Sequence, residues 1–231
     1  MKEEHAGQAN DVRIGDLVLY KNNQLIAFNK PVMWPVQPDK TGDKSLLELA
    51  EMYCHSKLYL VHRIDRPAGG VVLFAKNTTA LTALHEQFRL REIKKVYLAV
   101  VQQEPATPEG ELHHYLLKNG RTNRTSIVDA DTPDAQLSHL RYRVIGHSER
   151  YHLLEVQLIT GRHHQIRAQL AAIGCPIKGD VKYGSRRSNP GGGIHLHAWK
   201  IGFRHPVSGE SVEITAPLPA DPVWDAFKDA L

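Results

Sequence analysis

The chain has 231 residues, 42% of them hydrophobic, enough for a sizeable core in one large or two small domains. Its formal charge of +4 and sequence pI of about 9.0 are a mild basic excess that fits a polyanionic partner without requiring one. Cys54 and Cys175 form no CxxC and no disulfide framework, the polar start has no apolar signal-peptide core, and no run of about 18 apolar residues exists to span a membrane, so a cytoplasmic setting is expected.

Residues 1–16 are rich in Glu, Gly, Asn and Asp and are expected to form a flexible arm, with the domain proper over 17–231. Leu17–Tyr20 and Gln24–Phe28 read as strands. Lys21-Asn22-Asn23 joins them, and asparagine tolerates the left-handed backbone of hairpin turns. Pro31, Pro35 and Pro38 enforce an extended loop. Ser45 and Glu48 form a capping box. Leu46, Leu49, Ala50 and Tyr53 follow at helical spacing, so the pattern predicts a helix over residues 46–56.

His62-Arg63-Ile64-Asp65-Arg66 comes next: one carboxylate between arginines, a Pro67–Gly70 turn, then the apolar strand Val71–Ala75. A turn on a rigid strand is a common position for a reacting group. Taken alone, the segment favours a structural ion pair for Asp65, because such networks are common outside active sites. Asn77 or Thr78 caps a helix with the stripe Leu81, Leu84, Phe88. Arg89, Arg91, Lys94 and Lys95 crowd its C-terminal end, where the helix dipole favours cations and where a phosphate could also be met. Val96–Val101 is a strand carrying Tyr97. Residues 102–111 and 130–137 read as loops. Residues 117–126, with Lys118, Arg121 and Arg124, read as an exposed basic hairpin or loop.

Leu140–Val144 and Leu154–Leu158 alternate and are expected as antiparallel neighbours with one wet face. Thr160–Arg167 opens a helix whose apolar face is Ile166, Leu170 and Ile173. Gly174 at C′ and Pro176 end it. Arg162, Gln165, Arg167 and Gln169 cannot all face the core, and Arg167 is expected at a helix edge. Residues 182–193, with Lys182, Arg186, Arg187 and three glycines, read as a mobile basic loop. Strands over His195–Phe203 and Val212–Ala216 join through Pro206–Gly209. Asp221 and Pro222 start a last helix, docked by Trp224 and Phe227. There is no repeat of fixed period, and the order is α+β rather than a regular βαβ winding.

Several chemistries lack their residues. His113-His114, His163-His164 and His195-x-His197 have no HExxH and no cysteine pair to complete a zinc site. Gly191–Gly193 lacks the Lys-Ser/Thr of a phosphate loop, and no GxSxG occurs. A paired-carboxylate glycosidase needs a second acid near Asp65; Asp180 is the candidate, but the sequence does not place it there. What remains is one carboxylate among cations. Their charge favours the ionised form of Asp65, which suits a nucleophile or a base.

Five motifs in order carry a resemblance over roughly residues 17–220. They are His62–Arg66 with Gly69–Lys76; Lys95-Val96-Tyr97-Leu98-Ala99; Thr160–Arg167 with Gly174–Asp180 and Tyr183-Gly184; Leu196-His197-Ala198; and Phe203–Pro206. Together they resemble the signature of RluA-type RNA pseudouridine synthases. The resemblance implies a pseudouridine-synthase-like α+β fold: an extended, mostly antiparallel mixed sheet flanked by helices, with an active-site cleft across the sheet. It implies isomerisation of specific uridines to pseudouridine in structured ribosomal or transfer RNA by base flipping, with no cofactor and no metal; no membrane partner is expected, and a monomer is. Asp65 would be the essential catalytic carboxylate. Arg63 would take the space of the flipped uridine or meet its phosphate. Tyr97 would stack on the base and take part in proton removal, Arg167 would hold Asp65, and Leu196 would pack the base from the other side. His62, Arg66, Lys95 and Arg162 join Arg63 and Leu196 as expected substrate contacts. Arg89, Lys94, Arg121, Arg124, Arg186 and Arg187 are expected along the RNA backbone.

The chain also departs from that pattern. Pro67-Ala68-Gly69 stands where relatives usually have Asp-Thr-Ser-Gly, and His163 stands where threonine is more usual. Only about 16 residues precede the first strand, too few for the S4 RNA-binding domain many relatives carry, so a stand-alone catalytic domain is expected. Two other classes compete: an RNA-binding or chaperone-like protein that keeps the fold without the chemistry, and a glycosidase acting on free nucleosides.

Overall fold

The computed structural model describes residues 12–231. The expected N-terminal arm lies outside the described residues up to residue 11. Its last turn, Ile14–Leu17, is a short 3-10 helix whose Ile14 and Leu17 pack against the core.

Strands β1 (Val18–Lys21) and β2 (Leu25–Lys30) form the first hairpin. The turn is made by a side chain, not by left-handed backbone: Asn22 Oδ1 accepts from the N–H groups of Gln24 and Leu25, both at 2.8 Å. Helix α1 (Leu46–Cys54) starts at the capping box, with Ser45 N–H donating to Glu48 at 2.8 Å, and ends at His55 in the left-handed region. Then come β3 (Tyr59–Leu60), β4 (Gly69–Ala75) and α2 (Thr78–Arg89), capped by Asn77, whose side chain accepts from Ala80 N–H at 2.9 Å. After β5 (Lys94–Val101), β6 (Glu109–Asn119) and β7 (Arg124–Val128) make the expected basic hairpin. The expected loop over 102–111 is shorter than its sequence suggested, because β6 begins at Glu109. Only Leu116 of that strand is buried, so hydrophobic alternation carries almost no signal there. Next are β8 (Gln136–His147), β9 (His152–Leu158), α3 (Gln165–Ala172), β10 (Leu196–Arg204), β11 (Ser211–Thr215) and α4 (Pro222–Asp225).

All strands join one sheet in the order β1-β2-β4-β10-β5-β9-β8-β6-β7, with β3 on β4 and β11 on β10. Every pairing is antiparallel except β4 with β10, so the expected mixed, mostly antiparallel α+β architecture is what forms. Strand β10 is where the sheet divides. One edge runs along β5; the other pairs with β4 at His197 and Ala198 and with β11 from Lys200 onward. Gly70 makes the β4–β10 contact possible. Its φ is 113°, and a Cβ there would lie 2.3 Å from the Ala198 carbonyl oxygen.

Two cores lie on either side of this division. One packs β2 and β4 against α1 and α2 around Phe28 and Phe74, whose rings meet edge to face at 6.1 Å; burying each such side chain contributes about 1.5–3 kcal/mol. The other packs β5, β8 and β9 against α3. Tyr97 touches both. Trp224 on helix α4 and Phe227 just beyond it cover Leu98, Val100 and Leu153.

Helix α3 corrects an expectation. Gln165, Arg167 and Gln169 are all buried, and of the four polar residues weighed only Arg162, ahead of the helix, is exposed. Arg167 is therefore not at a helix edge. Each of these buried side chains finds a partner far away in sequence, although Gln169 Oε1 has none among the described residues: Gln165 Nε2 donates to the His139 carbonyl at 3.1 Å and Gln169 Nε2 to the Leu112 carbonyl at 3.0 Å. Among the described residues no helix is long and apolar enough to cross a membrane.

Candidate active site

The seam between the two cores opens as a cleft of about 520 Å³. Four elements converge on it: the loop before β4 with Asp65, the middle of β5 with Tyr97, the start of β10 with Leu196, and the N-terminal half of α3 with Arg167. The Pro67-Ala68 departure leaves a closed turn, Ala68 N–H donating to the Asp65 carbonyl at 3.0 Å. The small Ala68 side chain packs into the second core and lines the cleft.

Arg167 Nη1 donates to Asp65 Oδ2 at 3.1 Å, the pairing expected from the resemblance. Its other edge is committed to Asp180, with Nε to Oδ2 at 2.7 Å and Nη2 to Oδ1 at 2.8 Å. Asp180 is fully enclosed, whereas the Asp65 side chain keeps 24% of its surface open to the cleft. Asp180, the second acid considered for a glycosidase, does not line the cleft and has both carboxylate oxygens bonded to Arg167.

The electrostatics correct a second expectation. Cations around Asp65 were expected to favour its ionised form. Enclosure outweighs them: burial pushes the Asp65 carboxyl above its ordinary range, Arg167 opposes that shift, and the negative charge of Asp180 adds to it. Burial and the charge of Asp65 also push the Tyr97 phenol upward, so it stays protonated at neutral pH. Lys95 lines the cleft, and burial beside Arg91 pulls it down to about 8.

Arg63 and Arg162 line the cleft and are exposed. Arg63 forms no ion pair among the described residues. Leu196 lines the wall, 5% exposed. His62 also lines it, but its Nε2 accepts from Leu73 N–H at 3.1 Å, and burial lowers its pKa to about 4, so it acts as a neutral tie onto β4. Arg66 is not brought to the site. It pairs with Asp39 at 3.1 Å and with Asp43, and lies outside the cleft lining; two nearby carboxylates outcompete an open cleft for its guanidinium.

Two further residues support the centre without a role assigned to them in the sequence. Lys30 is buried, and its Nζ donates to the carbonyls of Pro31 (2.8 Å), Trp34 (2.9 Å) and Arg66 (3.1 Å), tying the proline loop under the loop that carries Asp65. His164 Nε2 lies 3.8 Å from Asp65 Oδ2. The adjacent Lys30-Pro31 and the histidine pair were the available signals, but neither states its partner. Of the histidine pairs weighed for metal, His163 and His164 stack on each other at 3.7 Å, and His195 faces Asp221 at 3.0 Å. Among the described residues, the groups that could offer three metal ligands are Glu111, His113 and His139, and Glu104, His147 and His152, neither of which lines the cleft.

Residues 24–172 match the family described as RNA pseudouridylate synthase. The chain is 41% identical over 168 residues to an "Uncharacterized RNA pseudouridine synthase" of Chloroflexus aurantiacus, covering 70% of this chain and 50% of that protein. It is 34% identical over 213 residues to the "Ribosomal large subunit pseudouridine synthase C" of Yersinia pestis, covering 89% of this chain and 66% of that one. The chain thus spans about half to two thirds of the length of these relatives. Its fold is similar to the human RNA pseudouridylate synthase domain containing 4, with a TM-score of 0.73 and 24% identity over 90% of this chain and 91% of that one.

Proposed function

The chain belongs to the RNA pseudouridylate synthase family, and from that premise we propose that it isomerises specific uridines to pseudouridine in structured RNA, with Asp65 as the reacting carboxylate. The observation that carries this reading is the Asp65–Arg167–Asp180 arrangement at the cleft wall. Arg167, fixed from behind by a bidentate pair, holds one carboxylate in an otherwise cationic opening.

The reaction breaks the N1–C1′ bond, turns the base and forms a C5–C1′ bond; no atom is gained or lost. A base inside a folded RNA must first leave its stack. Tyr97 on one side and Leu196 on the other offer the flat and apolar surfaces that would receive it, and exposed Arg63 would take its place or meet its phosphate. Asp65 begins as nucleophile or base. Once the new bond forms, the hydrogen at C5 must be removed. Tyr97, held neutral, is a poor acceptor, so the second proton step falls to Asp65 rather than to a phenolate. Lys95 and Arg162 line the cleft and would meet phosphates of the bound RNA. No step calls for a cofactor or a metal.

The substrate is ribosomal or transfer RNA. The name of the Yersinia pestis relative makes large-subunit ribosomal RNA the first to test. Such a substrate and two free cysteines fit a cytoplasmic enzyme, acting as a monomer.

The test is to map pseudouridine across the RNA of a strain lacking the gene and of its parent, then complement with Asp65→Asn. The reading requires positions lost in the deletion and not restored by the variant. Restoration by Asp65→Asn would end the catalytic assignment and favour the RNA-binding alternative. Release of uracil from free uridine would favour the nucleoside glycosidase.

A further inference from the structure

His164 is buried, at φ 50°, on the residue before α3. Its ring carries one proton, and the neighbours decide on which nitrogen. Tyr183 Oη accepts from the backbone N–H of Thr125 at 2.8 Å and lies 2.9 Å from His164 Nδ1. Tyr183 is 5% exposed, and its hydroxyl proton has no other acceptor among the described hydrogen bonds. A buried donor without a partner is costly, so that proton goes to Nδ1 and Nδ1 is an acceptor. The ring proton is therefore on Nε2, the atom 3.8 Å from Asp65 Oδ2. The same conclusion follows from the other side. A bare Nε2 lone pair facing a carboxylate would be repulsive, whereas an N–H is attractive.

The ring stays neutral in this role. Burial beside the Arg167 guanidinium pushes its pKa down to about 2. The stacked His163, Lys182 from the turn after Asp180 and Lys118 on β6 oppose its protonation too. Tyr183 also lies over the Arg167 guanidinium, at 4.9 Å from ring centre to carbon, so one phenol ring steadies both groups that face Asp65.

We propose that His164 is a positioning residue for Asp65, its ring fixed by the Tyr183 hydroxyl as the Nε2–H form that turns its N–H dipole toward the carboxylate 3.8 Å away. The inference rests on Asp65 being the reacting group. It assigns Asp65 Oδ2 a neutral N–H dipole alongside the Arg167 cation, and it makes Tyr183 act on the reaction only through His164 and Arg167.

The experiment measures single-turnover release of tritium from ribosomal and transfer RNA transcripts labelled at uridine C5, which is freed when the C5–C1′ bond replaces C5–H, between pH 5 and 9. Three variants are compared: His164→Leu, which removes the donor; His164→Gln, which returns an N–H at about the Nε2 position; and Tyr183→Phe, which removes only the hydroxyl. Leu and Gln carry the same left-handed strain, so their difference reports the donor. The other charges that Asp65 feels, from Arg167, Asp180, Arg63 and Lys30, are common to all. Loss of the donor makes the anion harder to form. The acid limb of the rate should move up by about half a unit to one unit in His164→Leu, with a plateau about tenfold lower. His164→Gln should return most of both, and Tyr183→Phe should move the limb the same way. The double variant with His164→Leu should go no further than His164→Leu alone. An unmoved acid limb in His164→Leu, or equal losses in Leu and Gln, overturns the proposal and leaves the ring a structural part. Release by Asp65→Asn at the wild-type rate, or none by the wild-type protein, overturns the functional reading beneath it.

Discussion

Arg167 and Asp180 face each other through two parallel hydrogen bonds at 2.7 and 2.8 Å, inside the protein and behind the cleft. A guanidinium held this way has lost its rotational freedom before substrate arrives. The single bond it sends forward to Asp65, at 3.1 Å, inherits that rigidity. Three charged groups then sum to one negative charge, a balance that exposes each partner to test.

Asp180→Asn removes a charge that pushes Asp65 upward. The acid limb of activity should therefore move to lower pH, although the enzyme becomes less stable and slower. Stability should fall by about 1–3 kcal/mol, because Arg167 keeps Asp65 as a partner and is not left as an orphaned buried charge. At this chain length each kcal/mol lowers Tm by about 2–4 °C. Arg167→Met should move the limb the opposite way and lose most activity, since Asp65 then keeps the burial and loses its cation. Calorimetry and a pH–rate profile on both variants check the two signs.

Asp65 itself should cost stability. Its folded-state pKa lies above the ordinary value, so the folded protein holds that proton more tightly than the unfolded chain does. Stability contributed by the protonated form is full below the ordinary carboxylate range and is lost as pH rises through the raised pKa. Asp65→Asn removes this loss and leaves Arg167 and Asp180 balanced. The variant should therefore lose activity by about 10²–10⁴-fold or more while its Tm at pH 7 equals or exceeds that of the wild type. A lower Tm at pH 7 with the same Tm at pH 4 would show that the carboxylate holds the fold together.

The parts of this arrangement differ in how far the sequence reveals them. Ser45 with Glu48, Asn77, Gly174 and Asp221 mark four helix ends because their partners sit within a few residues, and the structure contains all four ends. The Asp65–Arg167 pair was reachable only through motif resemblance, as the two residues lie 102 positions apart. Asp180 was visible as an acid but not as a partner. Arg66 sits one residue from Asp65, yet Asp39 and Asp43 draw it away; adjacency in a strand-like segment says nothing about which way a long side chain turns. Helix α3 hid its burial because Gln165, Arg167 and Gln169 read as a wet face, and only distant carbonyls and carboxylates make them fit for the interior.

Gly70 should be the least replaceable glycine. An alanine Cβ would sit 2.3 Å from the Ala198 carbonyl oxygen at a φ of 113°, where both contact and conformation oppose it. Backbone has to move on both sides, and β4 and β10 pair only through Gly69 and Gly70. The cost should exceed about 4 kcal/mol and leave little soluble protein. Gly120→Ala, with no atom within 4 Å of its Cβ, should behave as wild type in the same solubility and melting assays.

Arg63 and Arg66 give the clearest contrast between neighbours. Arg66 is spent on the exposed carboxylates of Asp39 and Asp43, and pairs of that kind contribute about 0–1 kcal/mol. Arg66→Ala should therefore leave KM for RNA within about threefold of wild type and lower Tm by no more than about 4 °C. Arg63 lines the cleft and has no ion-pair partner among the described residues. Arg63→Ala should leave Tm unchanged and lower kcat/KM by at least about tenfold. If the guanidinium meets a phosphate, the slope of log affinity against log salt concentration should also shrink by about one. An unchanged slope with a lower kcat would place Arg63 in the space of the flipped base instead. Equal losses in the two variants would mean that Arg66 leaves its carboxylates when RNA arrives.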